Sequence, residues 1–361
     1  MDWGILICSI LLLVIGLVAL FSATQNADYD EFKKQIIFFL VSIPVMIIVM
    51  MFDYTLMAKF SWVFYGIFIL LLVAVLFTPS INGAHSWFEL GSFTFQPGEM
   101  AKIFVVLFLS YTISKMQERD REEINRPWKL LVLLAIVGIP MLLIIKQPDY
   151  GTAAAFLVAT VFILFCAGIH RKYIVTAILL IAIIVPLLYF FVLPEHAKTR
   201  IDVFLNPDLD PRGSGYNVIQ SKLAIGAGEF LGMGILKGNQ TQLGFLYPKT
   251  TDFIYAVIGE EMGFVVAGTV IILYVLLITK AIYIAKTAKD DLGSYIAAGI
   301  AGIFLFHMVE NIGMTMGLLP ITGVPLLFVS YGGTSLITSF IMLGILLGIS
   351  GRRQKAIFIG N

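Results

Sequence analysis

The stretch Lys249-Thr-Thr-Asp-Phe-Ile-Tyr-Ala-Val-Ile-Gly-Glu-Glu-Met-Gly263 joins a long polar segment to a strongly apolar run. Three acidic residues, Asp252, Glu260 and Glu261, lie at or just inside the edge of that run. Acidic side chains at a hydrocarbon boundary are costly, so they usually face a cavity or a partner. We therefore expect this stretch to carry polar chemistry at the surface of a membrane.

Two interpretations of Asp252 fit the local sequence. If the stretch is helical, Asp252 shares one face with the small residues Ala256, Gly259 and Gly263, and a second helix or a ligand can approach that face closely. Glu260 flanks the same face. However, Thr-Thr-Asp before an apolar run is also an ordinary helix start, in which an acid caps the positive end of the helix dipole. The local sequence leaves both interpretations open.

The composition is that of a membrane protein. Hydrophobic residues make up 59% of the 361 residues, charged residues make up 13%, and the mean hydropathy is +0.94. Long apolar runs in such a chain are typical of transmembrane helices. The net charge of +1 argues against nucleic acid as a partner. The two cysteines, Cys8 and Cys166, lie in apolar runs, and their spacing suggests neither a disulfide framework nor a metal site.

Ten apolar runs predict an all-α integral membrane protein with about ten transmembrane helices. The first run has neither a basic n-region nor an Ala-x-Ala cleavage site, so we interpret it as a retained helix. The whole chain, residues 1–361, is predicted to form a single polytopic membrane domain. The fourth run can also start at Pro97, a favourable first-turn residue. The runs are Ile5 to about Ala23, Gln35–Phe52, Ser61–Phe77, Ala101–Ser114, Lys129–Ile145, Gly151–Ile169, Tyr173–Leu193, Phe253–Ile284, Ser294–Met316 and Phe328–Ile349.

Basic residues in the short connections predict the orientation. With the N-terminus in the cytoplasm, the inner connections carry most of the lysines and arginines, and the short outer ones carry only Lys33, Lys34 and Lys146. Such an excess marks the cytoplasmic side when long loops are left out of the count. Both termini are therefore predicted to be cytoplasmic, with Asp252 at the outer surface.

Two long outer segments follow from this topology. One covers residues 78–99, and the other is a large extracellular loop over residues 194–251, between the seventh and eighth helices. A loop of this length in a compact protein is usually functional or disordered. This one holds apolar residues at helical spacing, so part of it is predicted to lie on or re-enter the membrane surface: Val218, Leu223 and Ile225.

Several polar residues inside or beside the apolar runs need an explanation. Glu99 and Lys102 share a helical face, where they either neutralise each other or face a cavity. Asp149 lies at a tight outer turn and is interpreted first as the N-cap of the next helix. The ninth run carries a polar side that is either an interhelical network or a substrate path: His307, Glu310 and Asn311.

The pattern of residues favours proton abstraction over nucleophilic catalysis. The sequence shows no Ser-His-Asp arrangement, phosphate-binding loop or His/Cys metal cluster. Ser330-Tyr-Gly-Gly-Thr-Ser335 opens the last run with small hydroxyl residues, which are typical of close helix packing. An outward cavity with several acids and no obvious nucleophile suggests Asp252 as a general base, alone or with a divalent ion.

Eight motifs are very specific in combination: Gly83-Ala-His-Ser-Trp87, Gln96-Pro-Gly-Glu-Met-Ala-Lys102, Gln147-Pro-Asp-Tyr-Gly-Thr152, Gly215-Tyr-Asn-Val-Ile-Gln-Ser221, Lys249-Thr-Thr-Asp252, Glu260-Glu-Met-Gly263, Asn311-Ile-Gly-Met-Thr-Met-Gly-Leu-Leu-Pro-Ile-Thr-Gly-Val-Pro325 and Ser330-Tyr-Gly-Gly-Thr-Ser335. On the basis of these motifs, nearly the whole chain resembles the SEDS proteins (shape, elongation, division and sporulation), especially the RodA, FtsW and SpoVE group. Three positions depart from the family pattern: Gly98 stands in place of Ser, Glu229 interrupts a Gly-rich stretch, and Leu327 replaces a common Pro.

The resemblance implies a ten-helix membrane glycosyltransferase that polymerises lipid II into peptidoglycan strands at the outer face of the bacterial cell membrane. The implied partners are a class B penicillin-binding protein, whose transpeptidase domain crosslinks the product, and the elongation or division machinery. The catalytic acid of the family matches Asp252. The predicted substrate-binding residues are Trp87, Glu99, Lys102, Asp149, Arg200, Gln220, Ser221, Lys249, Thr250, Glu260, His307, Asn311 and Ser330.

The implied reaction needs a base for the acceptor sugar hydroxyl and positive charge for the leaving undecaprenyl pyrophosphate. Asp252 is predicted to supply the base. The positive charge is assigned to Lys102, Arg200 and Lys249, or to a divalent cation (Mg²⁺ or Mn²⁺) held by Asp252 and Glu99. The alternative function is a lipid II flippase, and a scaffold for the division or elongation machinery is a third. A flippase needs polar groups through the membrane depth, whereas most acids here gather at the outer side.

Overall fold

The computed structural model describes residues 2–80, 83–91, 93–191, 198, 202–206, 209–210 and 213–353. These residues form a bundle of long α-helices and one two-stranded antiparallel sheet. The sheet pairs β1 (Phe88–Leu90) with β2 (Phe93–Phe95), with Phe88 opposite Phe95. The helices are α1 (Trp3–Ala23), α2 (Asp30–Met51), α3 (Tyr54–Ala74), α4 (Pro97–Gln117), α5 (Pro127–Lys146), α6 (Tyr150–Cys166), α7 (Arg171–Phe191), α8 (Ser214–Ala227), α9 (Asn239–Gln242), α10 (Ile254–Lys286), α11 (Asp291–Thr315) and α12 (Gly333–Gly351).

A helix lies at each of the ten predicted apolar runs, and the all-α membrane fold is confirmed. Within the described residues, seven helices are long and apolar enough to cross a membrane, whereas α6 is a shorter apolar helix. Helix α4 begins at Pro97, the earlier of its two predicted starts, because proline fits the first helical turn. The total of ten crossings stays a prediction. The helices that meet the length and hydropathy criteria are α1, α2, α3, α5, α10, α11 and α12.

Helices α11 and α12 lie at the centre of the bundle, whereas most of α2 and α3 faces outward. Helix α11 packs against α6 and α10, and α12 packs against α2. Small residues on α11 make this central position possible. A Cβ atom at Gly302, for example, would lie only 3.1 Å from the Cα atom of Ala159 on α6. Close backbone approach of this kind is a common way to pack helices within a membrane.

Helix α10 is interrupted at Gly263, which has φ +75° and ψ −177°. The segment that follows α8 packs against this break, and the Phe264 amide donates a hydrogen bond to Glu229 O at 2.8 Å. A Cβ atom at Gly263 would lie 2.2 Å from Gly232 N, so only glycine fits here. The predicted continuous helical face from Asp252 to Gly263 is therefore wrong, because the helix breaks to receive a loop backbone.

The direction of the helices fixes the relative placement of the chain ends. Ala23, the last residue of α1, and Gly333, the first residue of α12, both line one cavity. Each helix then runs the length of the bundle away from that cavity, to Trp3 and to Gly351. The first residue of α1 and the last of α12 therefore lie at the opposite end of the bundle. Which end faces the cytoplasm stays a prediction.

Candidate functional site

A cavity of about 690 Å³ lies at one end of the bundle. Six separate parts of the chain line it, so the cavity exists only in the folded protein. A site of this size is large enough for a sugar-sized headgroup. The lining comes from the α1–α2 connection (residues 23–31), the segment before α4 (84–96), the α5–α6 turn (148–149), the stretch before α10 (247–252), the loop after α11 (322–325) and the start of α12 (331–335).

Asp252 lies in a turn directly before α10, partly exposed and in the cavity lining. The N-cap residue of α10 is Phe253, whose side chain makes no capping hydrogen bond. The interpretation of Asp252 as a helix cap is therefore wrong, because it lies one residue outside the capping position. Gly323 (φ +75°) borders the carboxylate, since a Cβ atom there would lie 3.5 Å from Asp252 Oδ2. The local structure thus presents Asp252 to the cavity.

Lys249 brings a positive charge to the same lining. Its Nζ atom donates a hydrogen bond to Thr241 O at 2.7 Å, which anchors the ammonium group. Partial burial lowers the pKa of Lys249, and the nearby carboxylates, chiefly that of Glu261, offset part of this effect. The structure therefore places a cation three residues before Asp252 on the same stretch of the lining.

Asp149 also lines the cavity, but its carboxylate is engaged in structural bonds. Its Oδ1 atom accepts a hydrogen bond from Thr152 N at 3.0 Å, so the predicted N-cap of α6 is confirmed. Its Oδ2 atom accepts a hydrogen bond from Gln96 Nε2 at 2.9 Å. Burial raises the pKa of Asp149, and the bond from Thr152 offsets part of that rise. Asp149 thus joins the α5–α6 turn to the start of α4.

Glu99, Lys102 and His307 form a buried chain of hydrogen bonds behind the cavity wall. Lys102 Nζ donates to Glu99 Oε1 and to His307 Nε2, both at 2.8 Å. His307 Nδ1 donates to Pro325 O at 2.9 Å, so its proton lies on Nδ1 and the imidazole is neutral. All three side chains are about 1% exposed and outside the cavity lining. Of the two interpretations of Glu99 and Lys102, mutual neutralisation is the one that the structure favours.

The two predicted metal ligands do not fit a shared ion. Asp252 lines the cavity, whereas Glu99 is buried behind its wall and bonded to the Lys102 ammonium. The Lys102 ammonium lies 2.8 Å from Glu99 Oε1, so it competes directly with a metal ion for the Glu99 carboxylate. Across the part of the chain that the structure describes, no three His, Cys, Asp or Glu side chains form a group able to hold a metal.

Three other predicted substrate ligands lie outside the lining. Gln220 and Ser221 are on α8, and Ser221 Oγ donates a buried hydrogen bond to Thr315 O at 2.7 Å, which joins α8 to α11. Glu260 is fully buried, and its oxygens accept hydrogen bonds from the amides of Gln240 and Thr241. The structure places these side chains outside the lining of this cavity, and structural bonds hold Ser221 and Glu260 there. Their contact with substrate stays a prediction.

The remaining predicted residues divide into three groups. Trp87 and Thr250 line the cavity together with Asp149, Lys249 and Asp252. Asn311 and Ser330 are buried outside the lining, at 0% and 6% exposure, and their contact with substrate stays a prediction. Arg200 lies outside the described residues.

Sequence reasoning missed two acids in the lining, Asp30 and Glu31 at the start of α2. Asp30 accepts a hydrogen bond from Lys34 Nζ at 2.7 Å on an exposed surface. The predicted topology could have identified these two acids, because it places the α1–α2 connection at the same end of the bundle as the stretch before α10. Residues at that end of every helix were candidates, including those in short connections.

Comparison with known proteins agrees with this architecture. A family model described as cell cycle protein, covering FtsW, RodA and SpoVE, matches residues 2–355. The chain belongs to the FtsW/RodA/SpoVE family. The match covers every helix and every described segment of the cavity lining, so the resemblance inferred from the motifs is confirmed.

Curated relatives of this FtsW/RodA/SpoVE protein match over nearly their full lengths. The peptidoglycan glycosyltransferase MrdB of Escherichia coli (strain K12) is 35% identical, over 98% of this chain and 94% of its own. The probable peptidoglycan glycosyltransferase FtsW of Trichlorobacter lovleyi is 35% identical, over 100% of this chain and 96% of its own. The peptidoglycan glycosyltransferase RodA of Treponema pallidum is 31% identical, over 98% of both chains.

Solved structures share the fold of this FtsW/RodA/SpoVE protein. A chain from a peptidoglycan synthase complex, described for its coordination of polymerization and crosslinking, superposes with a TM-score of 0.83 at 28% identity. That match covers 98% of this chain and 99% of the other. The rod shape determining protein RodA of Thermus thermophilus gives a TM-score of 0.73 at 24% identity, over 98% of both chains, and supports the fold alone.

Proposed function

We propose that this protein is a peptidoglycan glycosyltransferase that polymerises lipid II at the outer face of the bacterial cell membrane. Full-length relatives named as peptidoglycan glycosyltransferases support the activity. The observation that carries the site is the partly exposed Asp252 carboxylate in the wall of a 690 Å³ cavity at one end of the helix bundle. A cavity at that position can receive a headgroup from water while a lipid tail stays in the bilayer.

The reaction forms a glycosidic bond and breaks the bond between the donor sugar and its pyrophosphate. Asp252 accepts the proton of the acceptor hydroxyl while that oxygen attacks the anomeric carbon of the donor. Undecaprenyl pyrophosphate leaves with the bonding electron pair. Lys249, in the same lining, supplies positive charge to the phosphate oxygens as negative charge builds on them.

A divalent cation, Mg²⁺ or Mn²⁺, remains part of the proposal as an additional source of positive charge. Asp252 is the predicted ligand that lines the cavity, whereas Glu99 does not fit because Lys102 neutralises it inside the bundle. No step assigned to the residues above depends on the ion. Polymerisation in EDTA, followed by addition of Mg²⁺ or Mn²⁺, measures any requirement for it.

We also propose that the enzyme works with a class B penicillin-binding protein. A structural relative from a peptidoglycan synthase complex that coordinates polymerization and crosslinking supports such a partner. Co-purification with the cognate penicillin-binding protein is expected to raise the yield of polymer over that of the chain alone.

The proposed function is tested with purified protein and fluorescent lipid II. The wild-type chain, with its partner, is expected to give a ladder of glycan polymers that a muramidase digests. If no polymer forms with or without the partner and with or without added Mg²⁺ or Mn²⁺, the proposed glycosyltransferase activity is contradicted. Movement of labelled lipid II across sealed vesicles without polymer would instead favour the flippase.

A further inference from the structure

Three consecutive carbonyl groups just before α10, at residues 250–252, each accept a hydrogen bond from a distant part of the chain. A backbone anchored at successive residues holds its side chains in one orientation. The donors to residues 250, 251 and 252 are, in order, Tyr331 N at 2.9 Å, Ser330 Oγ at 2.6 Å and Asn311 Nδ2 at 3.0 Å.

Asn311 joins this stretch to the loop after α11. Its Nδ2 atom also donates a hydrogen bond to Val324 O at 2.8 Å, so both of its N–H bonds are used. Its Oδ1 atom is buried and has no hydrogen-bond partner among the described atoms. The amide therefore acts only as a double donor, and the reversed orientation would place its oxygen against two carbonyl oxygens. The side chain connects two chain segments and has no contact with the cavity.

One of the two connected segments carries Asp252, and the other borders its carboxylate. Gly323, next to Val324, borders Asp252 Oδ2. Ser330 strengthens the connection, because its Oγ atom accepts a hydrogen bond from Leu326 N at 2.9 Å while donating to residue 251. The carbonyls held by Asn311 and Ser330 thus belong to the backbone of Asp252 and of the residue before it.

We infer that Asn311 and Ser330 are positioning residues that hold Asp252 in its catalytic orientation and do not bind the substrate. The inference rests on the proposed function of Asp252 as the general base. Asn311 and Ser330 are buried and outside the lining, so they act on the reaction only through the Asp252 backbone. A shift of about 1 Å in a reacting group can cost roughly a hundredfold in rate, so loss of these donors should lower turnover.

The test uses two variants of different severity and one control. Asn311→Leu keeps a similar size and removes both donors, and Ser330→Ala removes a single hydroxyl. Tyr65→Phe is the control, because Tyr65 OH also donates to a backbone carbonyl, that of Ile136 at 3.0 Å, and Tyr65 is outside the cavity lining. For each protein, kcat and KM for lipid II are measured, with hydrogen–deuterium exchange over residues 249–257 and over the rest of the chain.

The kcat of Asn311→Leu is expected to fall roughly tenfold to a hundredfold and that of Ser330→Ala roughly threefold to tenfold, with KM within about threefold of wild type. Exchange over residues 249–257 should become faster in both variants and stay unchanged in Tyr65→Phe. A higher KM with unchanged kcat would make Asn311 a substrate ligand and overturn the inference. An unchanged kcat, or a lower kcat without faster local exchange, would also overturn it.

Two further outcomes separate folding and function from this inference. If Asn311→Leu does not fold, Ser330→Ala alone is decisive under the same criteria. If the wild-type chain makes no polymer, the proposed function fails first. In that case, unchanged exchange over residues 249–257 in Ser330→Ala would independently contradict the positioning role.

Discussion

Asp252 and Asp149 line the same cavity, but their neighbours give them different roles. Asp149 accepts hydrogen bonds from Thr152 N and Gln96 Nε2, which fix the start of α6 and join it to the segment before α4. The N-cap of α10 is Phe253, so Asp252 does not occupy the capping position of that helix. At the scale of single residues, this difference favours Asp252 as the acid that reacts.

Asp252→Asn is predicted to lower the polymerisation rate by roughly a hundredfold or more, because the amide cannot accept the proton of the acceptor hydroxyl. The melting temperature should change little, since no helix cap is lost. The assay compares polymer yield and thermal unfolding of both proteins in detergent.

Asp290→Asn provides the matched control for this substitution. Asp290 caps α11 by accepting a hydrogen bond from Gly293 N at 2.8 Å, and asparagine caps helices about equally well. Its activity should therefore be close to that of wild type. A normally folded Asp252→Asn protein with wild-type rate would assign the base to another lining acid, Asp30, Glu31 or Asp149.

At the scale of secondary-structure elements, the break in α10 determines how the segment between α8 and α10 is held. Glu260 lies just before the break and accepts hydrogen bonds from the amides of Gln240 and Thr241, at 2.7 and 3.0 Å. These amides belong to the first turn of α9, where no partner within the helix is available. Lys249 in turn bonds to Thr241 O, so the anchored segment reaches the cavity lining.

Gly263→Ala is predicted to destabilise the protein strongly. The added Cβ would lie 2.2 Å from Gly232 N, and a non-glycine residue at φ +75° adds about 1–3 kcal/mol of strain. Gly268→Ala in the same helix is the control, because no atom lies within 4 Å of its added Cβ and alanine favours the helix by up to about 1 kcal/mol. Thermal unfolding should show a lower melting temperature for Gly263→Ala and not for Gly268→Ala. Equal melting temperatures for the two variants would contradict the helix break at Gly263.

At the scale of the whole molecule, the cavity lies at one end of the bundle, and the first residue of α1 and the last residue of α12 lie at the other. Arg121 belongs to a charged connection between α4 and α5, where it pairs with Asp291 at the start of α11. The cavity instead lies where α1 ends and where α10 and α12 begin. This arrangement makes the topology testable with one position at each end.

In a Cys8→Ala, Cys166→Ala background, Lys237→Cys should react with a membrane-impermeant maleimide in intact cells, and Arg121→Cys should react only after the cells are lysed. Lys237 and Arg121 are both exposed, so accessibility of the side chain itself is not limiting. The excess of basic residues in the short connections at the Arg121 end is the physical reason for this orientation. Reversed labelling would place the cavity in the cytoplasm and overturn the proposed outer site.

The membrane class, the positions of the helices and the importance of the 249–263 stretch were determined by the sequence alone. Runs of apolar residues near bilayer length and the excess of basic residues are local signals that do not depend on packing. The motifs, including the one that contains Asp252, also identified the family, because each is a run of neighbouring residues that can be read without knowing how the helices pack. Local spacing further gave the N-cap at Asp149, because a cap bonds within its own turn.

Only the tertiary structure decided which of these polar residues share the cavity. Glu99 and Lys102 neutralise each other inside the bundle, and Glu260 turns toward α9, although each was a reasonable cavity residue by position. Asp30 joins the lining from the first turn of α2, which carries no motif. The direction of a polar side chain depends on the partners that distant segments bring to it, and those partners are fixed only when the helices pack together.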